Sequence, residues 1–254
     1  MSLISNINYR NIFVLSILLW LSQQFYAITI PLIVYEQTQS PLNMSIARAM
    51  EFLPNILFAP IAGYLIDMFR VKKMVLVSLW GQLICLVGIY ILFLHYSSDS
   101  AGIQQCSIYL AIFAFMSFGL IFNNIRNVLI KSSIPTALLT SANSYLQAAA
   151  QTIQVCGPIL SGFVLFFSDL SNGILACIIC LVTSIVLFAR IDFLNVATQG
   201  IWEKFNLKNI VLDPLKIVIR DQTLRHFTIL AMITNIAEGI SGVMYIYFLR
   251  PCFY

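Results

Sequence analysis

Seven apolar stretches of membrane-spanning length dominate the sequence, and short polar segments separate them. A helix needs about 20 apolar residues to cross a bilayer. Because hydrocarbon offers no hydrogen-bonding partner to the backbone, an apolar run of this length forms a helix there. Only 9% of the 254 residues are charged, whereas soluble domains carry about 25%. The sequence therefore predicts an all-α integral membrane protein.

The apolar runs place the predicted helices at 11–35, 44–66, 74–95, 107–128, 138–167, 171–190 and 226–248. They define a six-helix transmembrane bundle over 1–190, a cytoplasmic loop over 191–224, and a seventh helix with an outer tail over 225–254. Hydrophobic residues recur within the loop, which favours a short amphipathic helix on the membrane surface. The first run is free of charge from Asn11 to Tyr35 and lacks a clear cleavage site, so we expect a retained helix.

The basic residues predict the orientation of the chain. Of fourteen Lys and Arg residues, all but Arg48 and Arg250 fall on one side of the alternating helices. Since cytoplasmic loops carry the excess of positive charge, we expect a cytoplasmic amino terminus and an outer carboxyl terminus in a plasma (inner) membrane. The basic residues are dispersed among loops, which does not indicate nucleic-acid binding.

The sequence does not have the residues of an enzyme or a cofactor site. Its two histidines, His95 and His226, lie on opposite sides of the membrane, and no acidic cluster or phosphate-binding glycine loop accompanies them. Cys177 and Cys180 form a C-x-x-C within a predicted helix, where cysteine behaves as a small apolar residue. We therefore expect no covalent catalysis and no cofactor.

A charged turn, GYLIDMFRVKK over 63–73, separates the second and third predicted helices. Gly63 precedes an acid by four positions, and basic residues follow within the turn. The charged and glycine positions of this turn are Gly63, Asp67, Arg70, Lys72 and Lys73. A cytoplasmic loop that obeys the positive-inside rule would account for the basic residues alone. The glycine-to-aspartate spacing followed by a tight basic turn is more specific than this rule requires.

The fifth predicted helix combines small and polar residues. Gly157, Pro158 and Gly162 lie within AAAQTIQVCGPILSG, and small residues allow membrane helices to approach closely. Gln147 and Gln151 recur near helical spacing, followed by Gln154. This polar stripe is interpreted either as hydrogen bonding between helices or as one wall of a translocation cavity.

Other polar residues lie at membrane depth, where they are costly and are often functional. Gln23 is near the middle of the first helix, and Arg126 is near the inner end of the fourth. Arg48 and Glu51 lie three residues apart on one helix face. They form either a pair that reaches the membrane surface or one that lines the outer mouth of a cavity. Glu238 is our preferred residue for proton coupling, and its alternative is a structural carboxylate bonded to a neighbour such as Asn235.

Several segments together resemble the major facilitator superfamily of secondary transporters, in its macrolide-efflux and enterobactin-exporter-like branch. The resemblance covers residues 8 to 248, and it is carried by IPLIVYEQTQSPL, FLPNILFAPIAGYLID, TSANSYLQ and GPILSG together with the charged turn. It implies a six-helix half of that fold, built from two three-helix repeats, plus a seventh transmembrane helix. A short likeness between FAPIAGYLI and CGPILSGFVL agrees with equivalent second and fifth helices.

The resemblance also implies roles for individual residues. Gly63 would approach a helix of the second half, Asp67 would face that helix's amino-terminal end, and the basic residues would secure the inner gate. The Gly157–Gly162 segment matches the proline–glycine motif of exporters, although Ser161 replaces its usual glycine. Gln23 aligns with an acid of many relatives and cannot titrate. The implied activity is efflux of a small-molecule substrate by rocking of two halves in the lipid bilayer.

Seven helices are fewer than the twelve that the resemblance implies. We expect an amino-terminal fragment, or a chain whose partner is a second transporter half or a full-length relative. The alternative function is a non-transporting membrane scaffold or regulatory partner.

Overall fold

The computed structural model describes residues 6–68, 71–95, 101–189 and 213–249, in which the regular elements are helical. Their bounds are α1 Ile7–Thr38, α2 Pro41–Met68, α3 Val71–Leu94, α4 Ala101–Ser133, α5 Leu139–Phe167, α6 Leu170–Ala189, α7 Asp213–Arg220 and α8 Gln222–Leu249. The chain divides into two compact units, residues 1–200 and 201–254.

Each predicted helix corresponds to an observed one. The largest difference is α4, predicted over 107–128 and observed over Ala101–Ser133, because polar residues at both ends continue the helix beyond its apolar centre. By length and composition, five helices of the described residues are long and apolar enough to cross a membrane: α1, α3, α4, α5 and α6. The short α7 lies within the predicted loop over 191–224.

Local capping groups fix both ends of α1. The Asn6 Oδ1 atom accepts hydrogen bonds from the backbone N–H groups of Asn8 and Tyr9, at 3.0 and 3.2 Å. Gln39 adopts a left-handed conformation with φ 50°, and its N–H donates to the Tyr35 carbonyl at 2.7 Å. Both arrangements satisfy backbone groups that a helix end leaves unpaired.

Helix α1 is the central element of the first unit, because it packs against α2, α4, α5 and α6. Its buried side chains extend from Tyr9 to Val34, over almost the whole helix. The Tyr9 hydroxyl donates to the Ala142 carbonyl of α5 at 2.9 Å. The Ser22 hydroxyl donates to the Cys177 carbonyl of α6 at 3.2 Å. Hydrogen bonds thus join α1 to two neighbours in addition to apolar packing.

The helix pairs of the first unit follow a repeated pattern. Helix α1 packs mainly on α6 and α5, while α4 packs mainly on α3 and α2. If α1, α2 and α3 are matched in order with α4, α5 and α6, the pair α1–α6 corresponds to α4–α3. The pair α1–α5 then corresponds to α4–α2. This is the pairing that two three-helix repeats would produce.

Glycines allow two of these pairs to approach closely. A Cβ atom on Gly173 of α6 would lie 2.5 Å from the Thr29 Oγ1 atom of α1. A Cβ atom on Gly81 of α3 would lie 2.6 Å from the Phe118 ring of α4. A Cβ atom at either position would force the neighbouring side chain to move, so glycine suits this close packing.

In the second unit, α7 packs against α8. Asp221 lies between them, and its Oδ1 atom accepts from the N–H groups of Thr223 and Leu224 at 2.8 and 3.1 Å. The carboxylate therefore caps the first turn of α8.

Candidate functional site

A buried ion pair joins two residues of α2. The Arg48 Nη1 atom lies 2.7 Å from the Glu51 Oε2 atom, and the two side chains are 16% and 6% exposed. Their spacing of three residues places them on one helix face. Because both side chains are enclosed by protein, the pair lies within the helix packing and is not displayed at the outer surface.

The second guanidinium nitrogen reaches a different helix. The Arg48 Nη2 atom donates to the backbone carbonyl oxygen of Ala27 in α1 at 2.6 Å. One side chain thus contacts a carboxylate on its own helix and a main-chain carbonyl on the central helix. The planar guanidinium, with several fixed N–H donors, is suited to two partners in different directions.

Unused polar atoms surround this pair. Tyr26 of α1 is fully buried and stacks on Phe115 of α4, with 4.4 Å between ring centroids. Tyr26 also lies near Glu51 and Arg48. Within the part of the chain that the structure describes, the Tyr26 hydroxyl, the Arg48 Nε atom and the Glu51 Oε1 atom have no hydrogen-bond partner. These three buried atoms can therefore hydrogen-bond a further small polar molecule, such as water.

A second cationic position lies between α4 and α1. The Arg126 guanidinium carbon is 4.8 Å from the centre of the Trp20 ring, and its Nη1 atom donates to the Asn123 Oδ1 atom at 3.2 Å. This half-buried arrangement is a cation–π contact supported by an amide. The sequence indicated Arg126 but not its aromatic partner.

The half-buried Gln23 lies near a third helix junction. A Cβ atom on Gly119 of α4 would be 3.8 Å from the Gln23 Nε2 atom of α1 and 3.9 Å from the Gln82 Oε1 atom of α3. Gln82 is buried, and its Nε2 atom donates to the Ser78 carbonyl at 3.2 Å. The sequence interpretation missed Gln82, although a glutamine in the middle of an apolar run was an available signal.

The residues predicted on α5 divide between buried and exposed positions. Gly157 is buried against α1, where its added Cβ atom would lie 2.5 Å from the Gln24 Cγ atom. Pro158 lies inside the helix and is exposed, and a Cβ atom on Gly162 would meet nothing within 4 Å. Gln147 and Gln151 are exposed. The motif therefore packs against α1 through its first glycine only.

The predicted inner gate is described in part. The backbone of Gly63 and Asp67 is helical within α2, whereas the Asp67 side chain and all of Arg70 lie outside the described residues. Lys72 and Lys73 are exposed in the first turn of α3. Glu238 belongs to α8, and its side chain also lies outside the described residues. Among the described residues, no group of three or more His, Cys, Asp or Glu could hold a metal ion.

Comparison with known protein families decides the membership of this chain. The family model described as Major Facilitator Superfamily matches residues 12–251, which is nearly the whole sequence. The chain belongs to the major facilitator superfamily. No curated protein and no solved structure gives a significant match. As a member of this superfamily with several apolar helices, the chain is a multi-pass membrane protein of a transporter family.

Proposed function

We propose that this chain supplies one half of a secondary active carrier that exports a small molecule across the plasma membrane. The observation that supports this function best is the surface of α5, which carries three different kinds of side chain on three faces. The mechanism is the rocking of two halves around a shared cavity, without covalent chemistry.

One face of α5 is buried in the helix packing. It contains Ala142, Leu146, Gly157 and Ser161. These positions fall on one side of a helix with about 3.6 residues per turn. They face neighbouring helices of the same unit, among which α1 is the principal contact.

The exposed side of α5 is divided into an apolar and a polar strip. The apolar strip consists of Val155, Ile159, Phe163 and Phe166, all exposed. The polar strip, also exposed, consists of Gln147, Gln151 and Gln154. Helical spacing places the two strips side by side on different faces.

The two strips require different surroundings in a membrane. Lipid chains suit the apolar strip, whereas glutamines in hydrocarbon are costly and commonly face protein or a water-filled cavity. The polar strip therefore lines the translocation cavity and faces the second half of the carrier. Further polar and aromatic groups that line the cavity in this proposal come from α1, with Gln23 and Trp20, and from α4, with Arg126.

Two acids are candidates for proton coupling. Glu51 is buried, and its Oε2 atom is bonded to Arg48 while its Oε1 atom has no partner among the described residues. Glu238 on α8 remains the preference from sequence. Each is tested by replacement with glutamine, which keeps the shape and removes the titratable group.

The inner gate and the orientation complete the proposal. Gly63, Asp67, Arg70, Lys72 and Lys73 close the cytoplasmic side against the second half, and the amino terminus is cytoplasmic. The exposure of Lys72 and Lys73 leaves them accessible to such a partner.

The function is tested by transport into and out of inverted membrane vesicles, with a macrolide and ethidium as probes. Replacing Gln147, Gln151 and Gln154 together by alanine should reduce flux about tenfold, because the cavity wall loses its hydrogen-bonding groups. The matched control replaces Val155, Ile159 and Phe163 by alanine, which changes the lipid-facing strip only. Equal flux in both variants and in the unmodified chain would contradict the assignment of the polar strip.

The same exposed α5 surface also suits a second function, as a binding face for a full-length relative without transport by this chain. In that case, co-expression with such a relative would give a stable complex, and the flux of that complex would not change on Glu51→Gln or Glu238→Gln in this chain. Flux that depends on Glu51 or Glu238 of this chain excludes the scaffold function.

A further inference from the structure

The contact between Arg48 and Ala27 is explained by a proline in α1. Pro31 lies inside this helix, four residues after Ala27. In an α-helix the carbonyl of each residue accepts from the N–H four residues later. Proline has no N–H, so the Ala27 carbonyl lacks its usual intrahelical donor.

The missing donor is costly at this position. Ala27 is in the interior of α1, where neighbouring side chains such as Tyr26 and Ile30 are completely buried. Membrane helices tolerate proline when a neighbouring group satisfies the freed carbonyl. The Arg48 Nη2 atom lies 2.6 Å from the Ala27 oxygen, which is a short, charge-assisted hydrogen bond.

Glu51 completes the arrangement by balancing the charge of the donor. The Glu51 Oε2 atom lies 2.7 Å from Arg48 Nη1 and leaves Nη2 directed to α1. A buried cation without a counter-ion would be strongly destabilising.

We propose that Arg48 is a positioning residue that supplies the hydrogen bond lost at Pro31 and thereby fixes α2 to α1 at the Ala27 carbonyl. The role of Glu51 in this unit is to keep Arg48 charged and oriented. The proposal concerns the conformation of α1 and does not depend on transport by the chain.

The test is a mutant cycle on the full chain in lipid nanodiscs, read by hydrogen exchange of the α1 segment 27–34 and by thermal unfolding. Arg48→Met combined with Glu51→Leu removes the hydrogen bond without leaving an unpaired carboxylate. With Pro31 present, exchange in this segment should accelerate about tenfold, since one charged hydrogen bond is lost. The melting temperature should fall by roughly 5 °C.

The same double substitution is then made together with Pro31→Ala. Position 31 now has an N–H that bonds the Ala27 carbonyl, so exchange in 27–34 should change by less than about twofold on loss of Arg48. Replacing Pro158 by alanine instead is the matched control, because that proline lies in α5, and the full tenfold effect should persist.

Glu51→Gln separates the hydrogen bond to Ala27 from the ion pair. It leaves Arg48 without its counter-ion, so it should accelerate exchange in 27–34 to a similar extent with Pro31 and with Pro31→Ala, because this loss does not depend on the Ala27 carbonyl. The proposal would be overturned if Arg48→Met with Glu51→Leu accelerated exchange in 27–34 equally, or prevented folding equally, with Pro31 present and with Pro31→Ala. That result would make Arg48 only the ion-pair partner of Glu51.

Discussion

Helices α1 and α5 are similar in sequence character but differ in their surroundings. Each has about 30 residues, an internal proline and several polar side chains at membrane depth. In the most apolar 18-residue window, 50% of the α1 residues are buried, compared with 11% for the α5 segment. Polar side chains of α1 such as Tyr9 and Ser22 therefore bond to other helices of this unit, whereas Gln147, Gln151 and Gln154 of α5 face outward.

This difference shows that position in the bundle, more than composition, decides what a polar residue does. On α1, Ser22 and the Ala27 carbonyl have partners on α6 and α2. On α5, Gln147 and Gln151 remain available to groups outside the unit. The first set stabilises the half, and the second set is available for function.

The largest effect is expected from Glu51→Leu, which leaves the Arg48 charge buried without its partner. Removing one member of a buried ion pair costs about 3–5 kcal/mol, so the free energy of unfolding should fall by that amount in a mixed-micelle denaturation titration. Gln151→Leu on the exposed strip of α5 should change it by less than about 0.5 kcal/mol. Similar losses for both variants would remove the distinction between the two helices.

A smaller effect is expected where α1 and α5 touch. Gly157→Ala would place its Cβ atom 2.5 Å from Gln24 Cγ, and overpacking of this kind costs about 1–3 kcal/mol of folding free energy. Gly162→Ala is the control on the same helix, because its Cβ atom would meet open space. It should be neutral or should stabilise the helix by up to about 1 kcal/mol. Thermal unfolding of both variants in detergent checks this order, and a neutral Gly157→Ala contradicts the close packing.

The smallest expected effect is a difference in water access between the polar and apolar strips of α5. In a background without native cysteines, Gln151→Cys should react about tenfold faster with a charged, water-soluble thiol reagent than Ile159→Cys, because only a hydrated thiol ionises and reacts readily. The labelling rates in native membranes measure this ratio. Equal rates would mean that water reaches both strips or neither.

The helices and the family were predictable from sequence. Apolar runs placed each helix, because a membrane leaves the backbone no other way to satisfy its hydrogen bonds. Superfamily membership was predictable from the order of short segments, and the family comparison confirmed it. The branch, the direction of transport and the count of spanning helices stay predictions.

For most residues of the candidate site, the residues that they contact were not predictable from the sequence. The spacing of Arg48 and Glu51 indicated a pair, but nothing local indicated that Arg48 would reach Ala27, 21 positions away. Gln82 was not recognised although a glutamine within an apolar run was an available signal, whereas Trp20 becomes informative only beside Arg126.

The sequence by itself determined a membrane-embedded, all-helical chain of the major facilitator superfamily, because length and hydropathy of the runs are local properties. Only the tertiary structure decided which faces are buried and which polar atoms meet. The apolar residues of α1 are distributed around the whole helix, so their periodicity does not distinguish its neighbours. The contacts of Arg48 and Gly157 with α1 depend on how whole helices pack, which requires the arrangement of the bundle in three dimensions.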